Sequence, residues 1–199
     1  MTNRHPNLRI GEVVEATSQV FTAQCFELFK APPLGSLVKT GGELRETLAI
    51  VCEIGTKAID PSRIFTARGR DAASEEEIYR DHPQLNQILR TDFEAVVVGH
   101  YDEVALCQYL PPLPAKVHSF VYVCQDDEVH KFVHSLDFLS MVTNGQVPNQ
   151  DEVLGAFLRA ASRSHEDPEA FLLKSGKALA TLLAKDVTRL SNILKRISP

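Results

Sequence analysis

The chain has 199 residues, with 26 Asp and Glu against 21 Lys and Arg, a formal net charge of -5. That length fits one large domain or two small ones, and a 44% hydrophobic content excludes a disordered chain. The negative balance excludes a global electrostatic pull towards nucleic acid or anionic membranes. The charge is nevertheless uneven: residues 1–150 hold 13 Lys and Arg against 20 Asp and Glu, whereas residues 151–199 hold 8 against 6. The C-terminal end is therefore the basic end. Residues 1–8 are polar and lack the apolar core of a signal peptide, and no apolar run approaches the roughly 20 residues of a spanning helix. The expectation is a cytoplasmic protein with no membrane partner.

In chain order, residues 10–16 read as a strand. Residues 21–28 read as a second, with Phe21, Ala23 and Cys25 alternating against Thr22, Gln24 and Phe26. Thr17-Ser18-Gln19 turns between them, giving a hairpin. A Pro pair and Gly35 follow. Residues 36–39 form a short strand ended by Gly41-Gly42, and residues 47–55 form a longer core strand. Asp60-Pro61 then breaks the pattern. Ser74 and Glu77 make a capping box just before Ile78, so a helix starts near Glu75. Pro83 interrupts it, and residues 84–90 resume as a second short helix.

The clearest buried strand spans residues 93–101. Phe93, Ala95, Val97, Gly99 and Tyr101 alternate with Glu94, Val96, Val98 and His100. Apolar residues on both sides of its middle predict that both faces are covered, as in a barrel wall with something packed outside it. Asp102-Glu103 turns the chain into a strand over residues 104–109. Pro111-Pro112-Leu113-Pro114 makes a stiff crossing, and residues 119–124 close the β part.

From Asp126 the period becomes helical. Asp126 and Asp127 can cap a helix carrying Val129, Phe132, Val133, Leu136 and Leu139, ended by Asn144-Gly145. Asn149 and Glu152 open a helix through Arg163. Asp167-Pro168 opens a last helix running to about Ile197, with Leu172, Leu179, Leu183, Val187, Leu190, Leu194 and Ile197 as its apolar stripe.

Few residues point to chemistry. Ser175-Gly176-Lys177 superficially matches the end of a P-loop, but Ala178 stands where Ser or Thr must hold magnesium, and the segment sits inside a predicted helix. His130 and His134, four apart, could share a metal, yet no third ligand accompanies them. His100 reads as a structural histidine. Cys25, Cys52, Cys107 and Cys124 are scattered without a CxxC pair and read as buried thiols. No cofactor or metal is expected, and no GxSxG elbow is present. The basic face of the last helix stands out: Lys174, Lys177 and Lys185, then Arg189, Lys195 and Arg196, interrupted only by Asp186. A solvated amphipathic face accounts for it most simply. The functional reading is a site for an anionic partner, a nucleic-acid backbone or an acidic protein.

Three stretches resemble the HAS barrel, the small β-barrel shared by HerA-type DNA translocases and ATP synthase subunits. They are Ile10-Gly11-Glu12-Val13-Val14, Leu34-Gly35-Ser36-Leu37-Val38, and the distinctive residues 74–101, SEEEIYRDHPQLNQILRTDFEAVVVGHY. The resemblance covers about residues 8–125. It implies a barrel that helps to assemble a ring beside an ATPase motor. No Walker A or Walker B segment follows, and residues 126–199 stand in the motor's place, so the resemblance implies a barrel without an engine.

The expected fold class is α+β. A small β-barrel over residues 8–125, with a helical insert at about 74–91, precedes a helical domain over 126–199. The expected function is non-enzymatic: an assembly or adaptor protein whose barrel contacts its own copies or a separate ATPase. The alternative is a nucleic-acid-binding accessory protein using the basic helix. A third possibility is an enzyme with a site assembled from dispersed residues, which a deep pocket holding convergent polar groups would indicate.

Overall fold

Seven strands and seven helices make up the computed structural model, which describes residues 9–42, 45–102, 105–145, 147 and 149–197. The polar segment 1–8, Glu103 of the expected turn and Val104 at the start of the next strand lie outside the described residues. Strands β1 (Arg9–Ala16), β2 (Val20–Cys25), β3 (Leu37–Gly42), β4 (Arg45–Ala58), β5 (Leu89–Asp102) and β7 (Phe120–Val123) close a six-stranded barrel. Going round the wall the order is β1-β2-β5-β4-β3-β7 and back to β1, every pairing antiparallel. Strand β6 (Ala105–Cys107) adds to the end of β5. The fold is α+β, as expected.

The β1–β2 hairpin forms with Gly11 opposite Cys25 and Ala16 opposite Phe21. The Thr17 hydroxyl accepts from the Gln19 and Val20 amides, which fixes the turn. Two corrections concern strand ends. Gly41-Gly42 continues β3 rather than ending it, and β4 and β5 each run to 14 residues. Their extra length is one ladder, from Gly55 opposite Asp92 to Ala58 opposite Leu89. Backbone pairing carries these ends beyond the alternating apolar pattern, so hydrophobic periodicity could not reveal them.

The lumen is filled by Val13, Phe21, Ala23, Cys25, Val38, Ala49, Val51, Phe93, Ala95, Val97 and Val121. On the outer side of the same strands, Leu37, Leu48, Ile50, Cys52, Val96 and Val98 share a second core with the helices. Both faces of β5 are thus covered, as the two-sided apolar pattern predicts. Full burial of a Phe or Leu contributes about 1.5–3 kcal/mol. Phe132, Phe138 and Phe157 are all fully buried, with centroids 5.1 to 6.1 Å apart, and anchor the helical layer.

The insert carries α1 (Glu75–Asp81) and α2 (Leu85–Ile88). Ser74 caps α1 as expected, accepting from the Glu77 amide at 3.3 Å, while Glu77 Oε2 accepts from the Ala73 amide at 2.6 Å. α2 is shorter than expected because Leu89 and Arg90 join β5.

The helical region follows as α3 (Asp126–Phe132), α4 (Phe138–Asn144), α5 (Gln150–Ser162), α6 (Pro168–Leu182) and α7 (Val187–Ile197). Three expectations are corrected. The helix from Asp126 to Asn144 is broken at Val133–Asp137, and its cap is Gln125, which forms a capping box with Glu128. Asn149 precedes α5 in the left-handed region, at φ 51°, and makes no side-chain cap. The last helix is two helices, broken after Leu183, where the Asp186 amide donates back to the Leu183 carbonyl. The break resets the helical phase. Phe171, Ser175 and Leu179 are the buried positions of α6, Ile193 and Ile197 those of α7, and Val187 of the predicted stripe is 69% exposed. Asp167 does cap α6, accepting from the Ala170 amide at 2.9 Å, with Pro168 in the first turn.

Candidate functional site

The six basic residues singled out in the sequence differ in their partners. Lys174 lies on α6, and its Nζ donates to the His134 carbonyl at 3.0 Å, tying α6 to the end of α3. Arg189 on α7 pairs with Asp151 of α5 at 2.8 Å and donates to the Thr143 carbonyl at 3.1 Å. Arg196 pairs with Glu152 of α5, and its own carbonyl accepts from Arg159. These three cations hold helices together. Lys177 on α6, Lys185 in the connection and Lys195 on α7 are exposed, with no side-chain partner among the described residues. Ser175 is fully buried and donates to the Phe171 carbonyl at 2.9 Å, so Ser175-Gly176-Lys177 is helix interior.

A second surface was not singled out in the sequence. The β4–β5 ladder continues past the last β2 pair, Gln24–Asp92, as a short two-stranded arm; β4 residues 53–57 are exposed, whereas Thr91 and Asp92 of β5 are buried. At its base the Asp92 carboxylate lies 3.0 Å from Lys57 Nζ and 3.1 Å from Arg90 Nε, a charge contact without hydrogen-bond alignment. Thr56 and Thr91 hydroxyls meet at 2.9 Å, and Thr91 Oγ1 accepts from the Phe29 amide at 2.9 Å. Phe29 packs edge-on against Tyr79, pinning α1 near the arm. Beyond the ladder the Ser62 hydroxyl and amide bond to Asp60 and hold its carboxyl below the usual range. There Ile59, Ile64 and Phe65 are exposed, Ile64 at 91%, among exposed Arg63, Arg68 and Arg70. Sequence periodicity missed this surface because its residues belong to neither a strand nor a helix. The usable signal was composition: two large apolar residues among three arginines, with no acid from Pro61 to Arg70.

The third feature is a cavity of about 240 Å³ at the barrel mouth, where Arg45, Thr47, His100 and Asp102 converge under the Pro111–Pro114 crossing. The ladder explains how His100 comes to be there. The pairing steps from Ala49–Val97 to Leu48–Gly99, so Val98 is an extra residue in β5. A bulge of this kind re-aims the side chains that follow it. Val98 stays in the outer core, while His100 is opposite Thr47 and turns towards the mouth. The strict alternation that groups His100 with Val96 and Val98 is corrected accordingly. Its Nδ1 lies 3.2 Å from the Tyr109 carbonyl, and the Tyr109 ring packs edge-on at 5.2 Å. No nucleophile-to-base hydrogen bond links the cavity residues among the described residues.

Elsewhere, His130 stacks on His165 at 4.5 Å, and His165 stacks on Phe171 at 4.2 Å. Among the described residues no group of three or more metal-ligating side chains gathers around His130 and His134. Burial and, secondarily, Asp92 push the Cys25 thiol up to about 11; burial and then Glu94 do the same for Cys52. Among the described residues no helix is long and apolar enough to cross a membrane. No protein-family model matches this chain, and no curated protein matches it either.

Proposed function

We propose that this chain is a non-enzymatic assembly or adaptor protein, whose barrel region docks on further copies of itself or on a separate ATPase through the β4–β5 arm. The observation that carries the reading is the exposed apolar and basic end of that arm. Ile64 at 91% and Phe65 at 43% exposure leave apolar area in water that a protein surface would cover. Arg63, Arg68 and Arg70 rim it with positive charge, while the chain as a whole is acidic at -5. A second copy therefore supplies complementary charge, including the exposed Glu75 and Glu76 of α1. The resemblance to the HAS barrel, a ring-assembling module, agrees with this reading.

The test is light scattering after size-exclusion chromatography, on the wild type and on an Ile64→Ser, Phe65→Ser double variant. The expected result is a discrete oligomer that dissociates in the variant and at high salt. A monomeric wild type overturns self-docking, and an oligomer unchanged in the variant overturns the role of the arm. For the ATPase form, a partner ATPase that binds the wild type and the double variant equally overturns it.

The alternative, a nucleic-acid-binding accessory protein, rests on Lys177, Lys185 and Lys195, the cations of the basic set that face solvent. It predicts salt-dependent binding to a random-sequence duplex, with the apparent affinity falling as counterions compete. Binding that survives reversal of all three lysines to Glu sinks it.

A further inference from the structure

The barrel lumen changes character along its length. Val38, Ala49 and Val97 form an apolar layer, with Ala49 opposite both Val38 and Val97. One step towards the mouth the layer becomes Thr40, Thr47 and His100, buried at 1%, 7% and 5% exposure, with Thr47 opposite both of the others. The next step brings Gly42, Arg45 and Asp102. Buried polar side chains at the end of an apolar lumen are costly unless something satisfies them. Thr40 is satisfied, since its hydroxyl donates to the Phe120 carbonyl at 3.0 Å. The Thr47 hydroxyl has no side-chain hydrogen bond among the described residues.

His100 is more informative. The Tyr109 carbonyl can only accept, so the Nδ1 that meets it at 3.2 Å carries the proton. In the neutral ring Nε2 is then an acceptor, and it has no partner among the described residues. Arg45 and Lys116 line the same cavity, both exposed cations without an ion pair among the described residues, and among the described lining residues the carboxylate is that of Asp102. Arg45 and Asp102 occupy directly opposite ladder positions, yet no salt bridge joins them. A Cβ placed on Gly42 would meet nothing within 4 Å among the described residues.

From this arrangement we infer that the barrel mouth binds a small oxyanion that also carries a hydroxyl group, of the hydroxycarboxylate or hydrogen-phosphate type. The oxyanion is held by the Arg45 guanidinium and the Lys116 ammonium. Its hydroxyl donates to His100 Nε2, and the Thr47 hydroxyl completes the set. The volume of about 240 Å³ equals that of about eight waters. It suits a molecule of a few carbons rather than a nucleotide. The β5 bulge is what makes the site, because without the extra residue Val98 the imidazole would face the helical layer. The inference is independent of the docking reading, which concerns the arm beyond the other end of β5.

The test is a nuclear magnetic resonance titration of the labelled full chain with inorganic phosphate, glycolate and acetate, following the amides of Gly41, Gly42, Thr47 and His100. Saturable shifts confined to these positions are expected with phosphate, with glycolate or with both, and the probe that saturates identifies the source of the oxyanion. Acetate, which lacks the hydroxyl, should bind about tenfold more weakly than glycolate. Arg45→Met, at an exposed position, should weaken the bound probe by about tenfold or more with an unchanged fold. Thr47→Val keeps the side-chain shape and should weaken it less. No saturable shift with either probe overturns the site. Equal affinity in Arg45→Met overturns the anion assignment, and equal binding of acetate and glycolate overturns the hydroxyl contact to His100.

Discussion

Lys39 in β3 bonds Glu128 in α3, an ion pair between the barrel wall and the first helix after it. Glu128 serves twice, because its second oxygen accepts from the Gln125 amide at 2.9 Å and caps α3. Glu46 lies 3.6 Å from the same ammonium, and the three side chains are only 16% to 28% exposed. Burial disfavours the charged ammonium here, but the bond to Glu128 and the charge of Glu46 outweigh it and raise the Lys39 pKa.

Removing the cation should therefore destabilise the whole chain and not only α3. Lys39→Met removes the ammonium that Glu128 bonds and that Glu46 lies beside. A loss of about 2 kcal/mol is expected from the charged hydrogen bond. Urea unfolding followed by far-ultraviolet circular dichroism measures it. A midpoint unchanged from wild type would show that the pair is replaceable by water.

Gly35 joins the barrel to α5 by close backbone approach. Its φ is +79°, and a Cβ there would lie 2.5 Å from the Phe157 amide nitrogen and 2.8 Å from the Ala156 Cβ. Gly35→Ala should cost more than about 2 kcal/mol through strain and displacement of α5. Gly42→Ala, where nothing lies within 4 Å among the described residues, is the matched control and should fold normally. Equal unfolding midpoints for the two variants would refute the packing account.

The thiols give a pH signature. Cys25, Cys52 and Cys124 are buried, whereas Cys107 is partly exposed, so a thiol-reactive dye should label one cysteine quickly in the native state and four after denaturation. Three or four fast thiols in the native chain would contradict the burial. Raised folded-state pKa values mean that folding favours the neutral thiols. Their contribution is whole below the ordinary value of 9.0 and is lost as pH rises towards about 11. Thermal melts should fall across that window, and the Cys25→Ala, Cys52→Ala variant should fall less.

The basic set divides into structural and free cations, and stability separates them. Arg189→Met loses the Asp151 pair and the bond to the Thr143 carbonyl, at an expected cost of about 2 kcal/mol. Lys177→Glu should stay within about 0.5 kcal/mol of wild type. A stability loss in Lys177→Glu as large as in Arg189→Met would mean that Lys177 also holds helices together.

Much of the architecture was legible from local pattern. Phe21, Ala23 and Cys25 alternate into the lumen, and Ser74 with Glu77 marks the start of α1. The two-sided apolar face around Val96, Val97 and Val98 announces a barrel wall with helices outside it. These signals are local, since period, caps and turn residues act within one or two turns of chain. The candidate sites were less legible. Arg189 and Lys177 look alike in sequence, yet Asp151 lies beside only the first of them.

By itself, the sequence determined an α+β chain whose β part needs cover on two sides, because side-chain period and capping chemistry are properties of neighbouring residues. The tertiary structure alone decided the closure of β2 on β5, the arm made by the far ends of β4 and β5, and the break that turns the last helix into α6 and α7. It alone decided the facing of His100. One unpaired residue, Val98, reverses the alternation, and a bulge depends on the register of the partner strand rather than on the strand that carries it.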